Sequence, residues 1–247
     1  MSALITEKVK EYTKKSIILL DEVDSTNNYL KQNADFLMPD TCVIAQKQTA
    51  GRGRIGKKFF SPSESGLYLS ILLKPESFVP ENFTAAAAVA VARAIEAFLN
   101  KKAQIKWVND VYINNKKVCG ILCEALFVKD KPQYVIVGIG VNLLKPQNDF
   151  DAEIKNIADA VFEKSNVNFN AFAAKVINEF FDAVSNEDFL QEYKERSLLI
   201  DKKVTFNDFN QLYEGVVKEI DNDFAIIIDV DGEKKRFKSG EITFVNF

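Results

Sequence analysis

The run from Ala85 to Ala92 is the segment that most narrows what this chain can become. A helix opening at Asn82 or Thr84 and running to about Asn100 carries that run together with Val89, Ile95, Phe98 and Leu99. A stripe of such small side chains lets a helix lie tightly against a flat partner, so the pattern asks for a sheet beneath it. Candidate strands stand on both sides. Ser16–Leu20, Thr41–Ala45 and Leu67–Leu73 precede the helix, and Ile105–Val108, Val111–Ile113, Val118–Phe127 and Tyr134–Val141 follow it. Asp24 or Ser25 can cap a first helix to about Ala34. Asn114-Asn115 reads as a tight turn between two strands. From Asn168 to about Arg196 the pattern is helical, with Phe172, Val176, Phe180, Phe181 and Val184 as a core stripe. Beyond Leu199 five short strands in under fifty residues predict a small barrel. The expected class is α/β, divided into residues 1–197 and 198–247.

Composition removes whole chemistries. At 247 residues and 47% apolar, the chain can bury a sizeable core. The net charge of −3 gives no basic footprint for nucleic acid. There is no histidine, which excludes Ser-His-Asp and Cys-His catalysis, His general bases and His-ligated zinc together. Cys42, Cys119 and Cys123 are too few for a disulfide framework and read as small buried hydrophobes in a reducing compartment. The apolar runs fall short of the roughly 20 residues of a membrane helix, and the N-terminal residues have no signal-peptide pattern. A cytoplasmic protein without a membrane partner is expected.

Glycine and arginine are placed unevenly. Of ten glycines, Gly51, Gly53, Gly56 and Gly66 fall within sixteen residues, and two of only five arginines are Arg52 and Arg54. Glycines let a backbone approach a ligand, successive N–H groups make an anion nest, and the guanidinium suits carboxylate and phosphate. Gly51 to Lys58 therefore suits a polyphosphate or an adenylate, although alone it is equally a solvated basic turn. It matches neither a Walker A loop nor a dinucleotide fingerprint that enters a helix. Its four cations repel one another and the nearest downstream carboxylate is Glu64, so the loop is expected to order around an anion. Lys106-Trp-Val-Asn-Asp110, Lys117 and Asn142 each read individually as ordinary strand-end groups. Gly138 and Gly140 weaken a strand, which hints at close backbone approach to a ligand.

Taken together, Asp24-Ser-Thr-Asn27, Gln48 with Gly51-Arg-Gly-Arg54, Phe60-Ser-Pro62, Gly66-Leu-Tyr-Leu-Ser70, Lys106-Trp-Val-Asn-Asp110, Lys117-Val-Cys-Gly-Ile-Leu-Cys-Glu124 and Gly138-Ile-Gly-Val-Asn142 closely resemble the biotin protein ligases. The resemblance spans about Val23 to Asn142. It implies an α/β catalytic domain of the biotin/lipoate ligase type, built on a mixed sheet and followed by a small SH3-like barrel. The implied enzyme is a biotin–[biotin carboxyl-carrier protein] ligase, which forms biotinyl-5′-AMP from biotin and ATP and passes biotin to a lysine of a carboxylase carrier domain. A lipoate or octanoate ligase or transferase of related fold, and a catalytically dead binding protein, are the other readings.

By the same resemblance Arg54 and Lys117 are catalytic. Ser25, Thr26, Asn27, Gln48, Gly51, Arg52, Gly53 and Gly120 join them around biotin and its adenylate. Phe59, Lys106, Asn109, Asp110, Gly138, Gly140 and Asn142 lie on the ATP side, with Mg²⁺ at Asp110 and no prosthetic group. The family usually has Trp at Phe59 and Pro at Val108; Phe keeps a stacking face but loses area and the indole donor. The regulatory members carry an N-terminal helix-turn-helix, for which the fifteen or so residues before Ser16 are too few, so no DNA is expected. Monomer and homodimer remain open.

Overall fold

The computed structural model describes residues 4–76, 80–129, 131–186, 189–208 and 211–244. Its first layer is a seven-stranded mixed sheet in the order β1-β2-β3-β7-β6-β5-β4. The strands are β1 (Ile17–Val23), β2 (Cys42–Gln48), β3 (Gly66–Leu73), β4 (Gln104–Lys106), β5 (Asp110–Ile113), β6 (Lys116–Val128) and β7 (Lys131–Asn142). Only β1 and β2 run parallel, joined through helix α1 (Thr26–Asn33); the other neighbours are antiparallel. Asn114 and Asn115 both adopt positive φ between β5 and β6, the conformation a tight hairpin turn needs.

The alanine-rich helix α2 spans Pro80–Phe98 and so starts before either expected cap. Ala85 to Ala92 are all fully buried or nearly so. The helical stretch after Asn168 is two helices, α3 (Phe169–Asn186) and α4 (Phe189–Glu195). Val135, Val137, Ile139 and Val141 of β7 join the large core that holds α2 and α3. The opposite face of the sheet carries Val43, Leu72 and Ile136 under Leu30 of α1 and Ala34 at its C-cap. Period-two alternation therefore sends Ile136, Gly138, Gly140 and Asn142 to that second face.

A second, antiparallel sheet follows, with β8 (Lys203–Asn207), β9 (Leu212–Ile220), β10 (Ile226–Val230), β11 (Glu233–Phe237) and β12 (Glu241–Phe244) in the order β11-β10-β9-β8-β12. These are the five strands expected after Leu199. Val204, Phe206, Val217, Ile226 and Ile228 of this sheet belong to the same buried cluster as α2 and α3. The expected strand to Val108 stops at Lys106, and residues 107–109 turn. The indole of Trp107 donates to Phe224 O at 2.7 Å, and Tyr193 of α4 donates its hydroxyl to Val108 O at 2.9 Å. This turn is thus riveted from outside the first sheet. Trp107→Phe leaves the Phe224 carbonyl without its donor, which costs about 1–3 kcal/mol. The unfolding midpoint is expected to fall by roughly 2–10 °C; an unchanged midpoint in calorimetry would refute the rivet.

Candidate functional site

The second face of the sheet opens into a cleft of about 480 Å³. Its floor follows from strand register. Tyr68, Gly140 and Gly120 lie side by side across β3, β7 and β6, and Ser70, Gly138 and Leu122 form the next row. Three missing side chains sink the floor. The close approaches expected at Gly138 and Gly140 are made by the protein's own groups. A β-carbon on Gly138 would collide with the Asn27 amide, and one on Gly140 with the Phe59 ring. Phe59 lies across Gly120 and Gly140 and meets Tyr68 edge-on at 6.5 Å.

One wall is neutral and polar. Ser25 occupies the N-cap of α1 with no side-chain capping bond, and Asp24 accepts from Asn28 instead. The cap comes from β2: Gln48 Oε1 accepts from Thr26 N at 2.9 Å and from Thr26 Oγ1 at 3.1 Å. Gln48 Nε2 donates to Ser61 Oγ. Ser70 Oγ sits 2.7 Å from Thr26 Oγ1 and 2.6 Å from Asn27 Oδ1. Glu124 lies behind this wall, accepting from Asn27 Nδ2 at 2.9 Å and pairing with Lys31 at 2.6 Å and Arg52 at 3.2 Å. Burial alone would raise the Glu124 carboxyl, but the Lys31 and Asn27 hydrogen bonds and the Lys31 and Arg52 charges hold it below its ordinary value.

The other wall is cationic. Arg52, Arg54, Lys57, Lys58, Lys106 and Lys117 line the cleft against only two carboxylates, Asp110 and Glu241. Lys117 Nζ is 2.7 Å from Asp110 Oδ1. Apart from this ion pair that oxygen is the one buried side-chain polar atom without a hydrogen bond among the described residues. Burial lowers the Lys106 ammonium, and the Lys117 and Lys57 charges add to the fall against the opposing pull of Asp110. Such a cluster favours an added anion. Arg54 Nη1 donates to Asn109 Oδ1 at 3.3 Å, Asn109 Nδ2 to Ile121 O at 2.9 Å, and Asn142 Nδ2 to Asp159 O at 3.1 Å.

The glycine loop is a short hairpin, with Gly53 N on Lys57 O, Phe59 N on Gly51 O, and a 3₁₀ turn at Arg54–Gly56. No helix follows it, in keeping with the rejected dinucleotide motif. Its cations have counter-charges that the sequence argument did not foresee: Glu124 for Arg52, and Glu241 for Lys57 at 2.5 Å.

Every residue assigned to the biotin or nucleotide site from the sequence lines this cleft except Gly51. Gly51 is buried behind it, where a β-carbon would strike Phe59 O and Ser61 Oγ. Sequence reasoning missed the contributions of Ile154, Ile157, Ala158 and Gly240 to Thr243. A wider hollow of about 960 Å³, lined by Lys101, Lys145, Asp159 and Glu163 among others, contains none of the named residues. Among the described residues no group of three or more acidic or cysteine side chains could hold a metal, and no helix is long and apolar enough to cross a membrane.

Comparison with known proteins agrees with this geometry. The profile of the biotin/lipoate A/B protein ligase family matches residues 19–142. The bifunctional ligase/repressor BirA of Bacillus subtilis is 38% identical over 148 residues, covering 59% of this chain and 46% of that protein. A biotin–[acetyl-CoA-carboxylase] ligase of Paracoccus denitrificans is 36% identical over 129 residues, 51% of this chain and 53% of its own. The chain spans about half the length of the first of the curated relatives it matches. Among solved structures, the biotin protein ligase from Aquifex aeolicus in complex with biotin and ATP superposes with a TM-score of 0.78 at 30% identity, covering 93% of this chain and 98% of that one. A match over half the chain, falling on the strands and loop that build the cleft, places this protein in the biotin/lipoate A/B protein ligase family.

Proposed function

We propose that this chain activates biotin with ATP to biotinyl-5′-AMP and transfers biotin to a lysine of a carboxylase carrier domain. The observation that carries this reading is the division of one cleft into a neutral polar wall and a wall of six cations over a glycine floor. A ureido ring offers N–H donors and a carbonyl acceptor, which the hydroxyls and amides of Ser25, Thr26, Asn27 and Gln48 complement. A mixed anhydride with phosphate is anionic and belongs at the other end. In the first half-reaction the biotin carboxylate attacks the α-phosphorus and pyrophosphate departs. Arg54 and Lys117 offset the charge that gathers where two anions meet. In the second, the carrier lysine's amine attacks the acyl carbon and AMP leaves. Phe59, Lys106, Asn109, Asp110, Gly138, Gly140 and Asn142 face the nucleotide.

Mg²⁺ fits this donor set as an ion carried on ATP phosphates, since Mg²⁺ sites of this kind use one or two carboxylates and substrate oxygens. Asp110 is the carboxylate suited to it, and its buried Oδ1, which accepts no hydrogen bond beyond the Lys117 ion pair, supports that role. When bound, the ion would neutralise phosphate charge. The division at 197/198 into a catalytic unit and a barrel, a cytoplasmic location, and action as monomer or homodimer without DNA belong to the same reading.

Incubation with labelled biotin, ATP and a carrier domain is expected to label the carrier and release pyrophosphate. Thermal shift by biotin but not by lipoate separates the lipoate reading. Pyrophosphate release excludes a dead binding protein, and neither label nor pyrophosphate would overturn the proposal.

A further inference from the structure

Glu124 does not line the cleft, yet two of its three side-chain partners, Asn27 and Arg52, belong to different pieces of it. Oε2 takes Asn27 Nδ2 from the polar wall at 2.9 Å. Arg52 of the glycine loop reaches the same carboxylate through two nitrogens, at 3.2 Å and 3.4 Å, while also donating to Asn28 Oδ1 at 2.9 Å. Lys31 closes the far side at 2.6 Å. The Glu124 side chain is 18% exposed, so these bonds are partly shielded from water.

Two consequences follow from the chemistry of a carboxylate. First, it only accepts, so the Asn27 amide must turn its NH₂ toward Glu124. Asn27 Oδ1 is thereby aimed at Ser70 and the space above Gly138. A flipped amide would set oxygen against carboxylate. Ser70 has one proton to share between Thr26 Oγ1 and Asn27 Oδ1, and the Leu122 carbonyl takes Asn27 Nδ2 only at a long 3.4 Å, so Glu124 at 2.9 Å is the stronger of the acceptors that hold this orientation. Second, the loop's only arginine tied to a carboxylate is tied to this one. The same group thus sets the polarity of the polar wall and tethers the segment that flanks the cationic wall.

We infer that Glu124 is a positioning residue that fixes the hydrogen-bonding polarity of Asn27 and latches the glycine loop through Arg52. The first half rests on the biotin-ligase reading; the latch stands without any ligand. Glu124→Gln is the informative change, because it keeps size and shape, removes the charge, and brings an NH₂ into a site with three donors. In the ligand-free variant, amide exchange over residues 51–58 is expected to quicken by about tenfold, the scale of one lost charge-assisted contact. Biotin affinity is expected to weaken by about the same factor, while the KM for ATP stays within about twofold. A merely structural defect would move both ligands alike.

Lys31→Met serves as comparison. It removes a cation beside Glu124 but leaves the Asn27 and Arg52 contacts, and is expected to leave loop exchange and biotin affinity within about twofold of the parent. Unchanged exchange in Glu124→Gln, equal loss of biotin and ATP, or the same changes in Lys31→Met would each overturn the inference. A parent protein that fails to bind biotin sinks the functional reading instead, while ligand-free exchange still decides the latch.

Discussion

Lys117→Met is expected to slow adenylate formation by about two to three orders of magnitude, the cost typical of removing one preorganised group that meets developing charge, and to leave biotin affinity little changed. Lys117 starts on the second residue of β6, where its backbone is fixed on both sides: its N–H donates to Ile157 O and its carbonyl accepts from Asp159 N. The side chain then leans over the glycine floor, so that a β-carbon on Gly120 would lie 3.3 Å from Nζ. Its one charged partner is Asp110 at 2.7 Å, in a wall where cations outnumber carboxylates. An ammonium held there contributes little to a neutral ureido ring at the opposite wall. It contributes most when carboxylate and α-phosphate are forced together. Methionine keeps the length and apolar stem while removing the charge. Single-turnover pyrophosphate release measures the rate, and titration calorimetry measures biotin. Parallel losses of rate and affinity would make Lys117 a binding group rather than a transition-state one. Because the substitution strips Asp110 of its partner, the thermal midpoint is recorded beside both.

The sheet that places these groups was readable for a physical reason. The alanine run of α2 can only be that small if the helix lies against strands, and it does. The two glycines of β7 also hinted at a site, and the fold shows why they sit there: Val135, Val137, Ile139 and Val141 fill the core face, while the other face carries Gly138, Gly140 and Asn142, residues that build no core. What stayed hidden depends on contacts between distant segments. The loop's cations looked uncompensated because their local sequence holds no carboxylate until Glu64, yet Glu124 and Glu241 reach them through the fold. Ser25 does occupy the N-cap of α1, but the side chain that caps the first turn is that of Gln48, more than twenty residues away. The expected strand through Val108 ends at Lys106 because Trp107 leaves the sheet to bond Phe224. Hydrophobic periodicity reports which face is buried; it says nothing of which remote polar group will complete a charge.

Biotinyl-5′-AMP is expected to leave the Arg54→Ala variant about ten to a hundred times faster than the parent protein, with biotin alone held nearly as well. The two loop arginines are not equivalent. Arg52 is committed to the fold through Glu124 and Asn28. Arg54 opens the 3₁₀ turn, beside Ile55 at a φ of 55°, and its one hydrogen bond is to the neutral Asn109 Oδ1 at a long 3.3 Å. A guanidinium has five donors, so most of its capacity faces the cleft. The adenylate brings a phosphate that the guanidinium can pair; free biotin brings only its carboxylate. A charge-assisted hydrogen bond contributes roughly 1.5–3 kcal/mol. At about 1.4 kcal/mol per tenfold, that is one to two orders of magnitude in the off-rate. Alanine also frees Asn109, but Asn109 Nδ2 remains anchored on Ile121 O, so the floor beneath is not expected to shift. Stopped-flow displacement of preformed adenylate reads the off-rate directly. An unchanged rate would show that Arg54 serves the loop turn alone, and a matching loss for biotin would move its action from phosphate to carboxylate.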